Sequence, residues 1–391
     1  MGLRVAIVAT VLALVPAGAA LASGNPSHSW AEAEIQTVAA ADLMGTKNPA
    51  MFRPRATLTA QALENLVFGL KRTLFPPPLP ATPPAPLPTP PPTTTTDPST
   101  TTDPTATIPV TTTPAPTPPP PEAPPKVANP NASVTMAELD ARLVAALGLS
   151  NAAAEFAAGA RAAGLHVPGR FGTETVARLL GLRYDHPARE DSLELLPFDP
   201  ATRAEAAYSA AQILHFSGWE IAAVQSLGDS FSLPQLSLWQ TRLLDTAVAR
   251  IGMPYVWGGT SDTFETEFGV PARGGYDCSG FVWRVVKLQP YPDERDLASV
   301  LRGRTTFVMS GEVSRSERIG FKELQPADVI FFGARGPRSQ PSQVDHMGLY
   351  LGNGWFIHSS EYGVALASLA GWYRREFAWG RRPLREAGLA G

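Results

Sequence analysis

A block of proline and threonine decides first what this chain can fold into. Residues 76 to 132 are almost entirely Pro, Thr and Ala, as in LPTPPPTTTTDPSTTTDPTATIPVTTTPAPTPPPP, and they hold more than half of the chain's 40 prolines. Too few apolar side chains are present to bury, and proline withholds the amides that helices and central strands need. The segment reads as a disordered, extended linker that splits the 391 residues into parts. At about 3.1 Å per residue it could reach on the order of 100 Å, which suits holding one body away from another.

The N-terminus reads as an export signal, residues 1–22. Arg4 supplies a positive end, Val5 to Leu14 an apolar core, and Ala20-Leu21-Ala22 the small residues of a cleavage site. No other stretch is long and apolar enough for a membrane span. The net charge of −3 gives no support to nucleic-acid binding, which wants a basic face. An exported chain with one cysteine has no internal disulfide, so its thiol is either reactive, paired between molecules, or a small buried hydrophobe.

Helical periodicity surrounds the linker. Trp30, Ile35, Val38 and Leu43 share one helix face, and Thr59 precedes a second run with Leu63, Leu66, Val67 and Leu70. Thr135 to Glu138 and Thr202 to Glu205 both fit a capping box. Short helical units that recur tend to stack. The early Trp30, the Phe52-x-Pro54 loop and the Thr202-Arg-Ala-Glu205 helix start resemble S-layer homology repeats, although the first unit reads LTAQA, without the Arg. That resemblance implies an interlocked helical module at 28–75 and 133–235, with cell-wall polysaccharide as its partner. A plain helical bundle is the alternative.

The cysteine lies in GGYDCSGFVWRVVKL. Phe281, Val282, Val285, Val286 and Leu288 indicate a helix starting at Cys278, with Asp277 as its N-cap. A thiol in the first helical turn feels the positive end of the dipole, so its pKa is expected to fall. Upstream, LWQTRLLDTAVARIG reads as a helix ending at Gly252. Downstream, Val344 to Leu351 and Trp355 to Ser359 read as two strands. A three-residue loop at 352–354 makes paired residue numbers sum to 706. His346 then lies opposite Ser360, with His358 diagonal to it on the same face, whereas a two-residue turn would separate the histidines. A nucleophilic cysteine needs a base and a group to orient that base.

Residues 240 to 391 resemble NlpC-type cell-wall cysteine peptidases through GMPYVWGG, YDCSGFVWRV, the RTT at 304–306, LQPADVIFF, HMGLYLGNG and FIHSS. The fold class implied is α+β. A papain-like peptidase domain at 236–391, with the cysteine helix packed on an antiparallel sheet, joins a mostly α-helical repeat region and the linker. The resemblance implies that Cys278 is the nucleophile, His346 the base and His358 the orienting residue. It also implies that the Tyr255 hydroxyl helps the oxyanion, and that Asp277 and Ser279 contact the substrate's amino end. Trp257 and Arg304 would shape the groove. The implied partner is the stem peptide of peptidoglycan, cut between D-glutamate and the diamino acid. No cofactor or metal is expected. An amidase acting on the sugar–peptide link stays open, as does a wall-binding protein whose peptidase site is closed by the long 259–277 loop. In Gln325-Pro326-Ala327-Asp328 an alanine replaces the family's glycine, at small cost if that backbone angle is ordinary.

Overall fold

The structure, a computed structural model, describes residues 29–76, 123–267 and 270–389. The export signal at 1–22 and all but the ends of the linker lie outside the described residues. Among the described residues no single helix is long and apolar enough to cross a membrane.

The N-terminal part is helical: α1 Glu32–Ala40, α2 Ala60–Leu74, α3 Met136–Ala146, α4 Ser150–Ala162, α5 Phe171–Leu179, α6 Arg203–Leu214 and α7 Trp219–Ser230. Three helix starts meet at its centre. Thr59, Thr135 and Thr202 cap α2, α3 and α6 with their side-chain oxygens. Just before each cap, a short extended segment pairs with the next in a closed ring. Leu58 N–H donates to Ala201 O (2.8 Å), Ala201 N–H to Val134 O (2.8 Å), and Val134 N–H to Leu58 O (3.1 Å). A second ring repeats the pattern from Ala60 to Ala132, Met136 to Asp199, and Arg203 to Ala56. Leu58, Val134 and Ala201 are buried there, and each backbone group that leaves water finds a partner. This is a three-unit module closed on itself.

The capping box at Thr135 forms in full, but the one at Thr202 forms only by half. Glu205 does not reach back because its carboxylate is buried beside the His186 ring, Nε2 to Oε1 3.5 Å. Arg203 instead ties the third unit to the first, donating to Phe52 O (2.8 Å) and Met44 O (3.0 Å).

The two ends of the linker belong to this one module. Gln61 of α2 donates to Pro125 O (2.9 Å), accepts from Val127 N–H (3.1 Å), and its own N–H reaches Pro130 O (3.1 Å). The described residues on both sides of the Pro/Thr segment therefore belong to one folded module, which is not the arrangement expected of a spacer between two bodies.

The C-terminal part begins with α8 Leu238–Val248, which ends four residues short of Gly252 because a turn intervenes. The long loop folds as two small hairpins, β1 Thr260–Ser261 with β4 Gly275–Tyr276, and β2 Glu265–Glu267 with β3 Val270–Ala272. Then come α9 Cys278–Trp283, α10 Leu297–Val300, α11 Thr306–Gly311 and β5 Val329–Gly333. They are followed by β6 Val344–Gly352, β7 Trp355–Ser360, β8 Gly363–Ser368, α12 Gly371–Glu376 and β9 Phe377–Arg381. The last five strands form one antiparallel sheet in the order β8-β7-β6-β5-β9. Met347, Leu349 and Ile357 face α9 and the main core, while Phe332, Tyr350 and Phe356 form a smaller core on the other face.

The module and the sheet domain share that main core. Phe156 of α4 and Phe231 after α7 clasp Trp355 of β7, with ring centroids 5.6 and 5.1 Å away. Arg178 of α5, buried and paired with Glu174, donates to Gly252 O and Tyr362 O. Arg170 donates to Ala249 O (2.7 Å) and Ile251 O (3.0 Å). A fragment of residues 236–391 would expose Trp355, and burying a large apolar side chain is worth about 1.5–3 kcal/mol. It is expected to melt well below the full chain, and calorimetry of both would show equal midpoints if the junction contributes nothing.

Ala327 has φ +71°. The backbone angle there is left-handed, so the alanine carries a strain that glycine would not, on the order of 1 kcal/mol. Ala327→Gly is expected to raise the urea midpoint; a lowered midpoint would contradict this.

Candidate active site

Asp277 sets the position of the cysteine. Its extended backbone ends β4, and its carboxylate caps α9 by accepting the Gly280 N–H. The same carboxylate accepts Gly258 N–H (3.0 Å), Ser279 Oγ–H (2.9 Å) and the Arg304 guanidinium (3.3 Å). Arg304 also donates to Ser279 Oγ and Gly258 O, each 2.7 Å. Asp277, Ser279 and Arg304 thus brace one another beneath the start of α9. Gly280 permits this closeness, since a Cβ there would sit 1.9 Å from Gly259 O. Trp257 is exposed on the neighbouring loop.

Cys278 is half-buried. Its sulfur lies 3.4 Å from Thr306 Oγ1 and 3.9 Å from Asp345 O. The thiol therefore rests against Thr306 and the backbone of β6, and it makes no hydrogen bond to His346 or His358, whose rings bond each other and Tyr373. Burial, followed by the Asp277 charge, pushes the thiol up to about 11, outweighing Thr306 and the amides of Ser279 and Met347. This reverses the lowered pKa expected from the helix start. α9 runs on into a π turn at Arg284–Leu288, and the Asp277 carboxylate that caps it sets a negative charge against the positive end of its dipole.

The two histidines lie on one sheet face. His346 Nε2 is 2.8 Å from His358 Nδ1. The register sums to 706 at Leu349–Ile357 and Tyr350–Phe356, as the sequence predicts. The turn itself differs. It has two residues, Asn353 (φ +48°) and Gly354 (φ +81°), and a bulge between Tyr350 and Gly352 restores the register that a two-residue turn would otherwise shift. Beyond His358 stands Tyr373 of α12, its hydroxyl 3.5 Å from Nε2. Phe332, Phe356 and Tyr373 pack around both imidazoles. Burial lowers His346 to about 4 and holds His358 well below the usual histidine range. Both rings are neutral at pH 7. In the tautomer in which Nε2 of His346 donates to Nδ1 of His358 and Nε2 of His358 donates to Tyr373, Nδ1 of His346 carries a lone pair.

Tyr255 sits in a bridge beside Tyr276, where burial, then Cys278 and Asp277, push its phenol upward. Thr306 and Tyr373 were not singled out from the sequence. Thr306 lies inside the RTT motif and carried a signal; Tyr373, in a helix of ordinary composition, carried none.

Residues 252–382 match the NlpC/P60 family model, and residues 24–59 match the S-layer homology domain. A probable peptidoglycan endopeptidase, LytE of Bacillus subtilis, is 36% identical over 133 residues, covering 34% of this chain and 31% of that protein. The murein DD-endopeptidase MepH of Escherichia coli is 31% identical over 142 residues, covering 36% of this chain and 44% of its own length. The chain thus spans less than half of these relatives. A solved NlpC/P60 family protein from Bacillus cereus is 24% identical, with a TM-score of 0.28, over 39% of this chain and 42% of that one. The C-terminal third of the chain is an NlpC/P60 domain, joined to an S-layer homology region.

Proposed function

We propose that this protein is a cell-wall cysteine endopeptidase that hydrolyses peptide bonds in peptidoglycan stem peptides, between D-glutamate and the diamino acid. The observation that carries the reading is the chain's one thiol, set against the strand that bears a hydrogen-bonded histidine pair, within an NlpC/P60 domain. The three-unit helical module holds the exported chain on wall polysaccharide.

The chemistry runs through the chain's own groups. On this reading the Cys278 sulfur leaves Thr306, comes within reach of Nδ1 of His346, which it does not touch in the resting structure, and gives up its proton there. The thiolate attacks the amide carbon, and the carbonyl electrons move onto oxygen. The Cys278 N–H and the Tyr255 hydroxyl donate to that oxyanion. Imidazolium returns the proton to the departing nitrogen, the C–N bond breaks, and a thioester remains. Water, deprotonated by His346, cleaves the thioester and restores the thiol. His358 keeps Nδ1 of His346 free to accept, and Tyr373 backs His358. Burial opposes charging either partner alone, so the thiolate and imidazolium form together and stabilise each other.

Two measurements test this. Full-length protein is expected to cleave defined muropeptides at the D-glutamyl bond, with Cys278→Ala inactive and His358→Ala reduced about 10²-fold or more in kcat. Products cut at the sugar–peptide link would replace the reading with an amidase. Iodoacetamide is expected to alkylate the resting thiol slowly at pH 7, with a rate that climbs through pH 9 to 11 as the thiol ionises. A rate already at its plateau below pH 8 would contradict the resting geometry.

A further inference from the structure

A row of charges on the helical module faces the NlpC/P60 domain. Arg170, Glu174 and Arg178 are spaced four apart along the start and length of α5, so they lie in one line. Glu174 and Arg178 are buried and paired, Oε2 to Nε 3.2 Å. The remaining hydrogen bonds of the two arginines leave the module. Arg170 donates to Ala249 O and Ile251 O, and Arg178 to Gly252 O (2.5 Å) and Tyr362 O. The NlpC/P60 domain provides a socket for the pair. A Cβ at Gly363 would lie 2.5 Å from Arg178 Nη1, and one at Gly252 would lie 2.6 Å from the Glu174 carboxyl carbon. Both glycines also have positive φ, +73° and +89°, a backbone that other residues adopt only at a cost.

Three segments of the site are laced together at this socket. Gly252 stands just before Met253, Pro254 and Tyr255. Its N–H donates to Val364 O (3.0 Å), and Val364 N–H donates to Met253 O (2.8 Å). Val364 is paired with Ser359, the neighbour of His358. Ser359 Oγ donates to Tyr276 O (2.6 Å), while Tyr276 N–H donates to Pro254 O (3.1 Å) and Tyr276 bridges Tyr255. Asp277 and Cys278 follow. The Arg178 guanidinium thus joins the segment that leads to Tyr255 with the turn after the strand of His358. A buried ion pair adds little net stability, because well-packed apolar residues in its place often do as well. It supplies geometry instead: a planar fork whose donors reach two carbonyls on different segments at once.

We propose that Arg178 is a positioning residue of the peptidase site, supplied by the helical module: by tying Gly252 O to Tyr362 O it holds the Tyr255 hydroxyl where it meets the oxyanion. The proposal rests on the peptidase reading. It makes α5 a working part of the peptidase, so the module does more than hold the chain on the wall. An oxyanion donor is worth roughly 10²–10³-fold in kcat when it is well placed, and a shift of about 1 Å forfeits much of that. Arg178 is shut from solvent behind Gly252 and Tyr362, so substrate affinity should change little with it.

The test is steady-state cleavage of a defined muropeptide by full-length chains in a double-mutant cycle. The chains are the wild type, Glu174→Gln with Arg178→Met, Tyr255→Phe, and all three substitutions together. The paired substitution removes the fork without leaving Glu174 as an unpaired buried charge. Melting curves confirm folding, and kcat is read well below the lowest midpoint. The paired substitution is expected to lower kcat about tenfold or more, with KM within about twofold, and to lower it no further once Tyr255→Phe is present. Arg178→Lys keeps a charge beside Glu174 but reaches one carbonyl rather than two, so it should recover part of the loss. It takes the place of the paired variant in the cycle if that variant does not fold. An unchanged kcat, a change confined to KM, or an equal fall in both backgrounds overturns the proposal and leaves the peptidase standing. A Tyr255→Phe chain as fast as the wild type also overturns it, since no oxyanion donor then needs placing. No cleavage by the wild type overturns the peptidase reading and takes this proposal with it.

Discussion

The Asp277 carboxylate is the contact on which the site depends. It closes the first turn of the cysteine helix, receives the amide of Gly258, and fixes Ser279 and Arg304. A single anion thus joins the loop that carries Tyr255 and Trp257 to the helix that carries Cys278. Its electrostatic effect on the neighbouring thiol is opposed to its structural one. It places the sulfur at a helix start, where a thiolate is favoured, and it adds a negative charge that disfavours the same thiolate. Burial and that charge together leave the resting thiol protonated.

The histidine pair, in which we propose the base, is prepared in a different way. His346 and His358 lie in an aromatic enclosure with almost no polar company except each other and Tyr373. Desolvation favours the neutral form of both rings, and the hydrogen bond between them couples the tautomer of one ring to that of the other. Orientation here comes from a neutral imidazole rather than a carboxylate. It steers the tautomer without adding a full opposing charge to the imidazolium.

Much of this was legible in the sequence, because local chemistry dictated it. Asp277 before Cys278 announced the cap, and the threonines at 59, 135 and 202 announced three helix starts. Alternation placed His346 and His358 on one face, although the sequence suggested a longer turn than the bulged Asn353-Gly354 turn that forms. What was not legible depends on contacts distant in the chain. The thiol's raised pKa follows from burial against β6, some seventy residues on. The left-handed angle of Ala327 cannot be read from an alanine. The packing of the turn at Ala188–Leu193 against β3 appears only when the module docks on the NlpC/P60 domain. Pro54, Pro130 and Pro197 each stand four residues before a strand of the central ring, a period hidden by the long insertion between the first two.

That ring gives the Pro/Thr segment an unexpected status. Its flanks, Pro76 and the residues from 125 onward, belong to one folded body, and the pieces on either side are stitched together by backbone hydrogen bonds among the three units. The peptide bonds of residues 77–122 are consequently not what joins α1 and α2 to the rest of the molecule. A protease that severed this segment would convert one chain into two that stay bound to each other, and the NlpC/P60 domain would keep its helical partner.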